Sequence, residues 1–273
     1  MNRALVIFSV LLLAGVVSTG LVLATDTVKT SREDTVKTSR GDTVKTSRGD
    51  LEIHPLNHAT FAMKWNGKSI YVDPVGSKER FRGLPAPDLI LITDVHGDHL
   101  NPAVVRSVRK DSTVIVAPAA VAQQLEKAGV DAKSIQRLAN GEKREVLGVK
   151  VKAIPMYNLT AERKRFHTKG RGNGYVLDFG GTRVYISGDT EDVPEMRALE
   201  KIDVAFICMN LPFTMTAERA ASAVLEFRPR VVYPYHYRGR GEGGTQDPKK
   251  FESLVGAKSK KIDVRLRDWY SKK

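Results

Sequence analysis

Apolar residues recur along this chain in short, dense runs, and turn residues separate them. DLILIT is a continuous apolar run of strand length, and STVIVAP, VLGVKVKAIP, KIDVAFICMN and RVVYPY read as strands beside it. LEIHPLNHATFAMKW and KSIYVDPV read as strands around Asn66-Gly67, a strong hairpin signal. YVLDF and TRVYIS form a second hairpin across Gly180-Gly181. AVAQQLEKAGV, closed by Gly129, reads as a helix, and TAERAASAVLEF carries an apolar stripe at helical spacing. Asn101-Pro102 supplies an N-cap and a first-turn proline for a helix through about Lys110, and Asp247-Pro248 opens another. KIDVRLRDW reads as a last strand, and Tyr157 to Gly174 as a loop rich in Arg, Lys and Gly. Strands and helices interleave and hairpins are mixed in, which predicts a layered, mixed α/β domain rather than a purely parallel sheet.

The N-terminal region breaks this pattern. Arg3 gives a positive start, Ala4 to Ala24 is apolar or small throughout, and Val22-Leu23-Ala24 offers small-enough residues at the cleavage positions. Residues 1–24 are therefore expected to be a secretory signal peptide, or an uncleaved membrane anchor, of an exported protein, periplasmic or secreted. The unit DTVKTSR then occurs three times with a period of eight, at Asp26–Arg32, Asp34–Arg40 and Asp42–Arg48. One valine per unit buries too little surface to offset the entropy of ordering. Residues 25–50 are thus expected to be a disordered spacer, and residues 51–273 the folded domain.

The 273 residues carry a formal net charge of +13. Lys and Arg are spread without a long block, and no nucleic-acid motif appears. No nucleic-acid partner is expected; a small-molecule substrate is, and membrane contact is expected only through the N-terminal segment. The single cysteine, Cys208, excludes an intrachain disulfide and sits in an apolar run, as a buried structural thiol would.

ITDVHGDHL places Asp94, His96, Asp98 and His99 in the loop after an apolar strand, where α/β proteins commonly build sites. Imidazole and carboxylate together suit zinc, iron or manganese. Alone, the run reads equally as a polar loop with an aspartate cap and two surface histidines. Asp189, after TRVYIS, and His236, after RVVYPY, lie at the ends of other strands, as dispersed metal ligands do, and this favours metal.

The ordered series LNHATFAMKWNGKSIYVDP, PDLILITDVHGDHL, VLGVKVKAIPMYN, GGTRVYISGDT and VVYPYHY resembles the metallo-β-lactamase superfamily. It is most similar to that superfamily's lactonase-like and N-acylphosphatidylethanolamine phospholipase D-like branch, over roughly residues 51–240. The resemblance implies a four-layer αββα sandwich with the site at one edge, and a metal-dependent hydrolase. The family pattern is His-x-His-x-Asp-His. His96 matches its second histidine, Asp98 and His99 its Asp-His pair, Asp189 the aspartate that bridges two metals, and His236 the last histidine. Asp94 stands where the first histidine belongs. A further family histidine falls near Tyr157-Asn158, where there is none; His167 is the candidate replacement, with Asn158 as the alternative ligand.

The implied ligands are therefore Asp94, His96, Asp98, His99, His167, Asp189 and His236, around two divalent ions: zinc, or manganese or iron. Both departures fall on one metal position, and a carboxylate in place of imidazole shifts preference from zinc toward harder ions. A single ion at the complete position is the fallback. The implied chemistry is attack on an ester, lactone, amide or phosphodiester by a water that metal has deprotonated. Asp98 is expected to orient the nucleophile's proton, and His58 to line the site in a catalytic or substrate-contacting role; His58 reads equally as a turn histidine. Asp73 is expected to hold the second nitrogen of a ligand histidine, against the plainer reading of a strand-ending aspartate before proline. The loops AERKRFHTKGRGNG and RGRGEGG either grip an anionic substrate or are solvated. Two rival readings are a degenerate, non-catalytic metal-binding domain and a β-lactamase.

Overall fold

Strand pairing follows chain order throughout the fold. The computed structural model describes residues 41–46 and 48–270. The apolar segment 4–24 and the first two DTVKTSR units lie outside these residues. The first sheet runs β1 (Asp42–Val44), β2 (Leu51–Asn57), β3 (Thr60–Trp65), β4 (Lys68–Val72), β5 (Leu89–Leu91), β6 (Val114–Ala117) and β7 (Ile135–Arg137), each beside its sequence neighbour. The second runs likewise: β8 (Lys143–Val146), β9 (Val149–Met156), β10 (Gly172–Asp178), β11 (Arg183–Ile186), β12 (Val204–Cys208), β13 (Val231–Tyr235) and β14 (Asp263–Val264).

The two sheets repeat one plan. Strands β1–β4 and β8–β11 are antiparallel meanders, and β4–β7 and β11–β14 are parallel. Parallel neighbours need a crossover. Helices α1 (Pro102–Val108) and α2 (Ala119–Lys127) supply it in the first half, and α3 (Pro194–Arg197), α4 (Ala217–Phe227) and α5 (Pro248–Lys258) in the second. The expected caps are present: Asn101 accepts from the amides of Ala103 and Val104, and Asp247 from that of Lys249. The Asn66-Gly67 turn has both residues at positive φ, 46° and 73°, as a two-residue hairpin turn requires.

Alternation along each strand divides the core. Phe61, Leu89 and Leu91 face the second sheet, where Phe61 stacks on Phe206 with ring centroids 4.3 Å apart. Ala62, Tyr71 and Ile90 face the other way, onto Val104, Val105, Val121 and Leu125 of α1 and α2. Helices α3–α5 bring Met196, Val224, Phe251 and Val255 to the second sheet. This is the four-layer αββα sandwich.

Three expectations change. The spacer expected over 25–50 ends earlier, because Asp42–Val44 of the third repeat unit is an edge strand paired with Leu51–Ile53. One valine suffices there, since Val44 completes a core that already exists rather than building its own. VLGVKVKAIP divides into β8 and β9 at Leu147-Gly148, both at positive φ. The last strand contracts to Asp263–Val264, after which the chain runs irregularly to Trp269, buried in the core, and Tyr270 at the site.

Candidate metal centre

Seven strand ends and loops converge at one edge of the sandwich. The turn between β2 and β3 carries His58, the end of β4 carries Asp73, and the loop after β5 carries Asp94 to His99. The loop between β9 and β10 carries His167 and Arg171, and the ends of β11, β12 and β13 carry Asp189, Asn210 and His236. His58, Asp73 and His236 all sit at positive φ, 55°, 45° and 49°. Backbone of that kind in non-glycine residues is uncommon and gathers where surrounding structure enforces a functional geometry. Gly188, at φ 60°, turns the chain into Asp189, and a Cβ there would stand 2.4 Å from Met156 Sδ.

Asp189 is the hub. Its Oδ2 lies 3.3 Å from His99 Nε2 and 3.3 Å from His167 Nε2, and its Oδ1 lies 3.4 Å from His236 Nε2. Asp98 Oδ2 is 3.3 Å from His236 Nε2. Ligand-capable atoms therefore fall into two sets, Asp98, His99, Asp189 and His236 beside Asp94, His96 and His167. The contact between Asp189 and His167 joins the sets.

Each buried imidazole is fixed from behind. Asp73 Oδ2 accepts from His99 Nδ1 at 2.8 Å, while the amide and hydroxyl of Thr93 hold the same carboxylate. His167 Nδ1 donates to the Phe213 carbonyl at 3.1 Å. The Asn210 side-chain amide lies 2.5 Å from His236 Nδ1. The forward-facing Nε2 atoms of His99, His167 and His236, together with Asp189 Oδ1, are buried without a hydrogen-bond partner. An unsatisfied buried polar atom costs about 1–3 kcal/mol, so four aimed at one region need a common partner, and a cation fits their chemistry.

Charge in the metal-free centre follows the same geometry. Burial raises the Asp189 carboxyl's pKa, but the neighbouring imidazoles of His236, His99 and His167 outweigh it and hold the pKa well below the carboxylate range. Burial lowers the pKa of His99, and Asp189 and Asp73 reverse this and raise it well above its ordinary value. His58 falls below its ordinary value because burial outweighs Asp98.

Asp94 sits differently from a free ligand. Arg171 Nε reaches its Oδ1 at 3.1 Å and Arg171 Nη2 its Oδ2 at 2.8 Å, a bidentate pair on a fully buried carboxylate. His96 Nδ1 is 2.8 Å from the same Oδ2. The extra negative charge expected from aspartate at this position is therefore balanced by Arg171, which removes much of the charge argument for a harder ion. Asn158 has another place: its amide donates to the carbonyls of Arg163 and Phe213 and lies behind His167, not at the centre. His58 Nδ1 is 2.7 Å from the Tyr270 hydroxyl, which accepts from the Arg238 amide at 3.1 Å. His58 Nε2 faces Asp98 Oδ2 at 3.5 Å, a carboxylate that can only accept, which places the N–H on Nε2 and makes Tyr270 the donor to Nδ1.

A cavity of about 700 Å³ opens over these groups, walled by Phe166, Phe213, Arg238 and Arg240. The sequence does not single out Arg171, Asn210, Phe213 or Tyr270. Arg171 is one of several cations in its loop and the local pattern does not distinguish it; nothing in the local pattern around Tyr270 marks that residue.

Comparison with known proteins places this geometry. A family model described as a beta-lactamase superfamily domain matches residues 52–236. A UPF0173 metal-dependent hydrolase from Thermococcus onnurineus is 32% identical over 225 residues, covering 78% of this chain and 95% of the relative. One from Lysinibacillus sphaericus is 32% identical over 215 residues, covering 75% and 92%. The crystal structure of a candidate metal-dependent hydrolase from Parabacteroides distasonis superposes with a TM-score of 0.74 at 38% identity, over 85% of this chain and 99% of that one. These relatives are named as hydrolases, without reference to a lactonase-like or phospholipase D-like branch.

Proposed function

This chain belongs to the metallo-β-lactamase superfamily, among its UPF0173-type metal-dependent hydrolases, and from that premise we propose a binuclear centre that hydrolyses an ester, lactone, amide or phosphodiester bond in a small anionic substrate. The observation that carries the reading is the convergence of three unpartnered imidazole nitrogens and one unpartnered carboxylate oxygen on Asp189's surroundings. His99, His236, Asp98 and Asp189 would hold one ion, and His96, His167, Asp94 and Asp189 the other. Divalent metal supplies a water that deprotonates near neutral pH and a Lewis acid for the attacked oxygen.

The protein's own groups do the rest. Asp98 is half-exposed at the cavity floor, within reach of both His58 and His236, and is placed to orient the nucleophile's proton. His58, with its Nε2 N–H facing the cavity, is placed to hydrogen-bond a leaving group. Arg238 and Arg240 on the wall offer charge-assisted hydrogen bonds to a carboxylate or phosphate, and Phe166 and Phe213 a surface for its apolar part.

Purified full-length chain, stripped and reloaded with zinc, manganese or iron, is assayed on a chromogenic phosphodiester, a lactone and a β-lactam. Turnover of one of the first two with a reloaded metal is expected. No turnover with any metal, despite binding, supports a domain that holds metal without catalysis, and turnover of the β-lactam alone supports the lactamase reading.

The Arg171–Asp94 pair favours a second reading, in which one ion binds at Asp98, His99, Asp189 and His236 and Asp94 serves to hold Arg171. Metal stoichiometry separates the two: two ions per chain for the first, one for the second.

A further inference from the structure

The third DTVKTSR unit occupies a slot that reads its side chains. Asp42 Oδ2 accepts from the Tyr233 hydroxyl at 2.7 Å and pairs with Arg265 at 3.1 Å and Arg267 at 2.5 Å. Val44 is 1% exposed and packs into the main core. Lys45 pairs with Asp50 at 2.6 Å, and the Thr46 hydroxyl donates to the Gly49 carbonyl. The remaining hydrogen bonds from elsewhere in the fold take only backbone, from Arg265 to the Thr43 carbonyl and from Arg230 to that of Lys45.

Every residue that this slot reads recurs one period earlier. Asp34, Val36, Lys37 and Thr38 stand as Asp42, Val44, Lys45 and Thr46 do, and Gly41-Asp42 follows the second unit as Gly49-Asp50 follows the third. We infer that the slot accepts the second unit, residues 34–40, in exchange for the third, by an eight-residue slip of the N-terminal arm along the edge of β2.

Both flanks agree. Glu33 would stand where Gly41 stands, and a Cβ there meets nothing nearer than His54 Nδ1 at 3.5 Å, ordinary contact. The first unit is disfavoured at its far end, because Glu33 would take the place of Gly49, whose φ of +108° glycine adopts readily and glutamate does not. Smaller slips are excluded by the three groups that close on Asp42, since none of residues 35–41 is an aspartate and the odd ones also invert the faces of the strand. The loop from the seated unit to β2 grows from residues 45–50 to residues 37–50, which on closure entropy disfavours the second unit about 4-fold. The slip also shortens the arm ahead of the domain by one eight-residue period, roughly 26 Å if extended.

Disulfide trapping tests this. Thr43 faces Glu52 across β1 and β2, and the native Cys208 is fully buried. Full-length chains carrying Glu52→Cys with Thr43→Cys, Thr35→Cys or Thr27→Cys are equilibrated in a glutathione redox buffer and mapped by mass spectrometry. The intrachain 35–52 link is expected at a level about 4-fold below the 43–52 link, with the 27–52 link lower still. Adding Val44→Asp should unseat the third unit and raise the 35–52 link severalfold. A 35–52 link no stronger than the 27–52 link overturns the inference, even if the Val44→Asp chain does not fold. A 35–52 link found only between chains overturns it too, by making the slot intermolecular.

Discussion

Arg171 and Asp94 show how one pair of residues can change the meaning of a motif. A buried carboxylate that loses its guanidinium is left with uncompensated charge, a loss of about 3–5 kcal/mol. Arg171→Met is therefore expected to lower metal-free stability by about that amount, and to lower it less when metal is present to take up the charge. Urea unfolding with and without chelator measures both; equal losses would mean that Asp94 does not face a bound cation. Asp73 acts one step further back, through His99. Asp73→Asn should weaken metal binding roughly 10–100-fold, the usual effect of an outer partner of a ligand, as read by competition with a chromogenic chelator. Asp98, His99, Asp189 and His236 are legible in the sequence because each follows an apolar strand and repeats a family pattern. Arg171 is not, because its partner is 77 residues away and only the folded register brings them together.

At the scale of elements, the segment from Asn158 to Arg171 delivers three site residues, Phe166, His167 and Arg171, without being helix or strand. Glu191 organises it. Its carboxylate is buried and accepts from the amides of Leu159 and Thr160 and the Thr160 hydroxyl, and it pairs with Arg163 and Arg219. Burial raises its pKa, but Thr160 and Arg163 outweigh this and hold the carboxyl below its ordinary value. A carboxyl depressed in the folded state stabilises above its unfolded pKa and loses that contribution as pH falls through the folded value. Glu191→Gln should thus cost about 2 kcal/mol near neutral pH, with the difference from the parent shrinking below about pH 4. Chemical unfolding across pH would show it, and a pH-independent difference would contradict the assignment. The loop's charge is visible in the sequence; the buried anion that gathers it is not, since Glu191 reads locally as one acidic residue after SGDT. Strands of continuous apolar sequence and turns at Asn66-Gly67 and Gly180-Gly181 are legible for the opposite reason, because their signals are local.

For the whole molecule, an ion at this centre would couple the two halves. Asp94, His96, Asp98 and His99 come from the first sheet's loops and His167, Asp189 and His236 from the second's, so an ion held among them would stabilise only the form in which both are assembled. At a free metal concentration 100-fold above the dissociation constant, linkage adds about 2.7 kcal/mol, or roughly 5–10 °C in Tm for a domain of this size. Calorimetry after chelation and reloading should recover that shift, and variants lacking His236 should not show it in full.

The repeated plan of the sheets has a consequence for how the chain reaches this form. Within each sheet every named strand pairs with its sequence neighbours, so each half can close its ladders without residues from the other half. The docking of one half on the other is the step that spans long separations, and Asp189 meets His99 only after it. The centre is thus a late-forming latch, and metal should slow unfolding far more than it speeds folding.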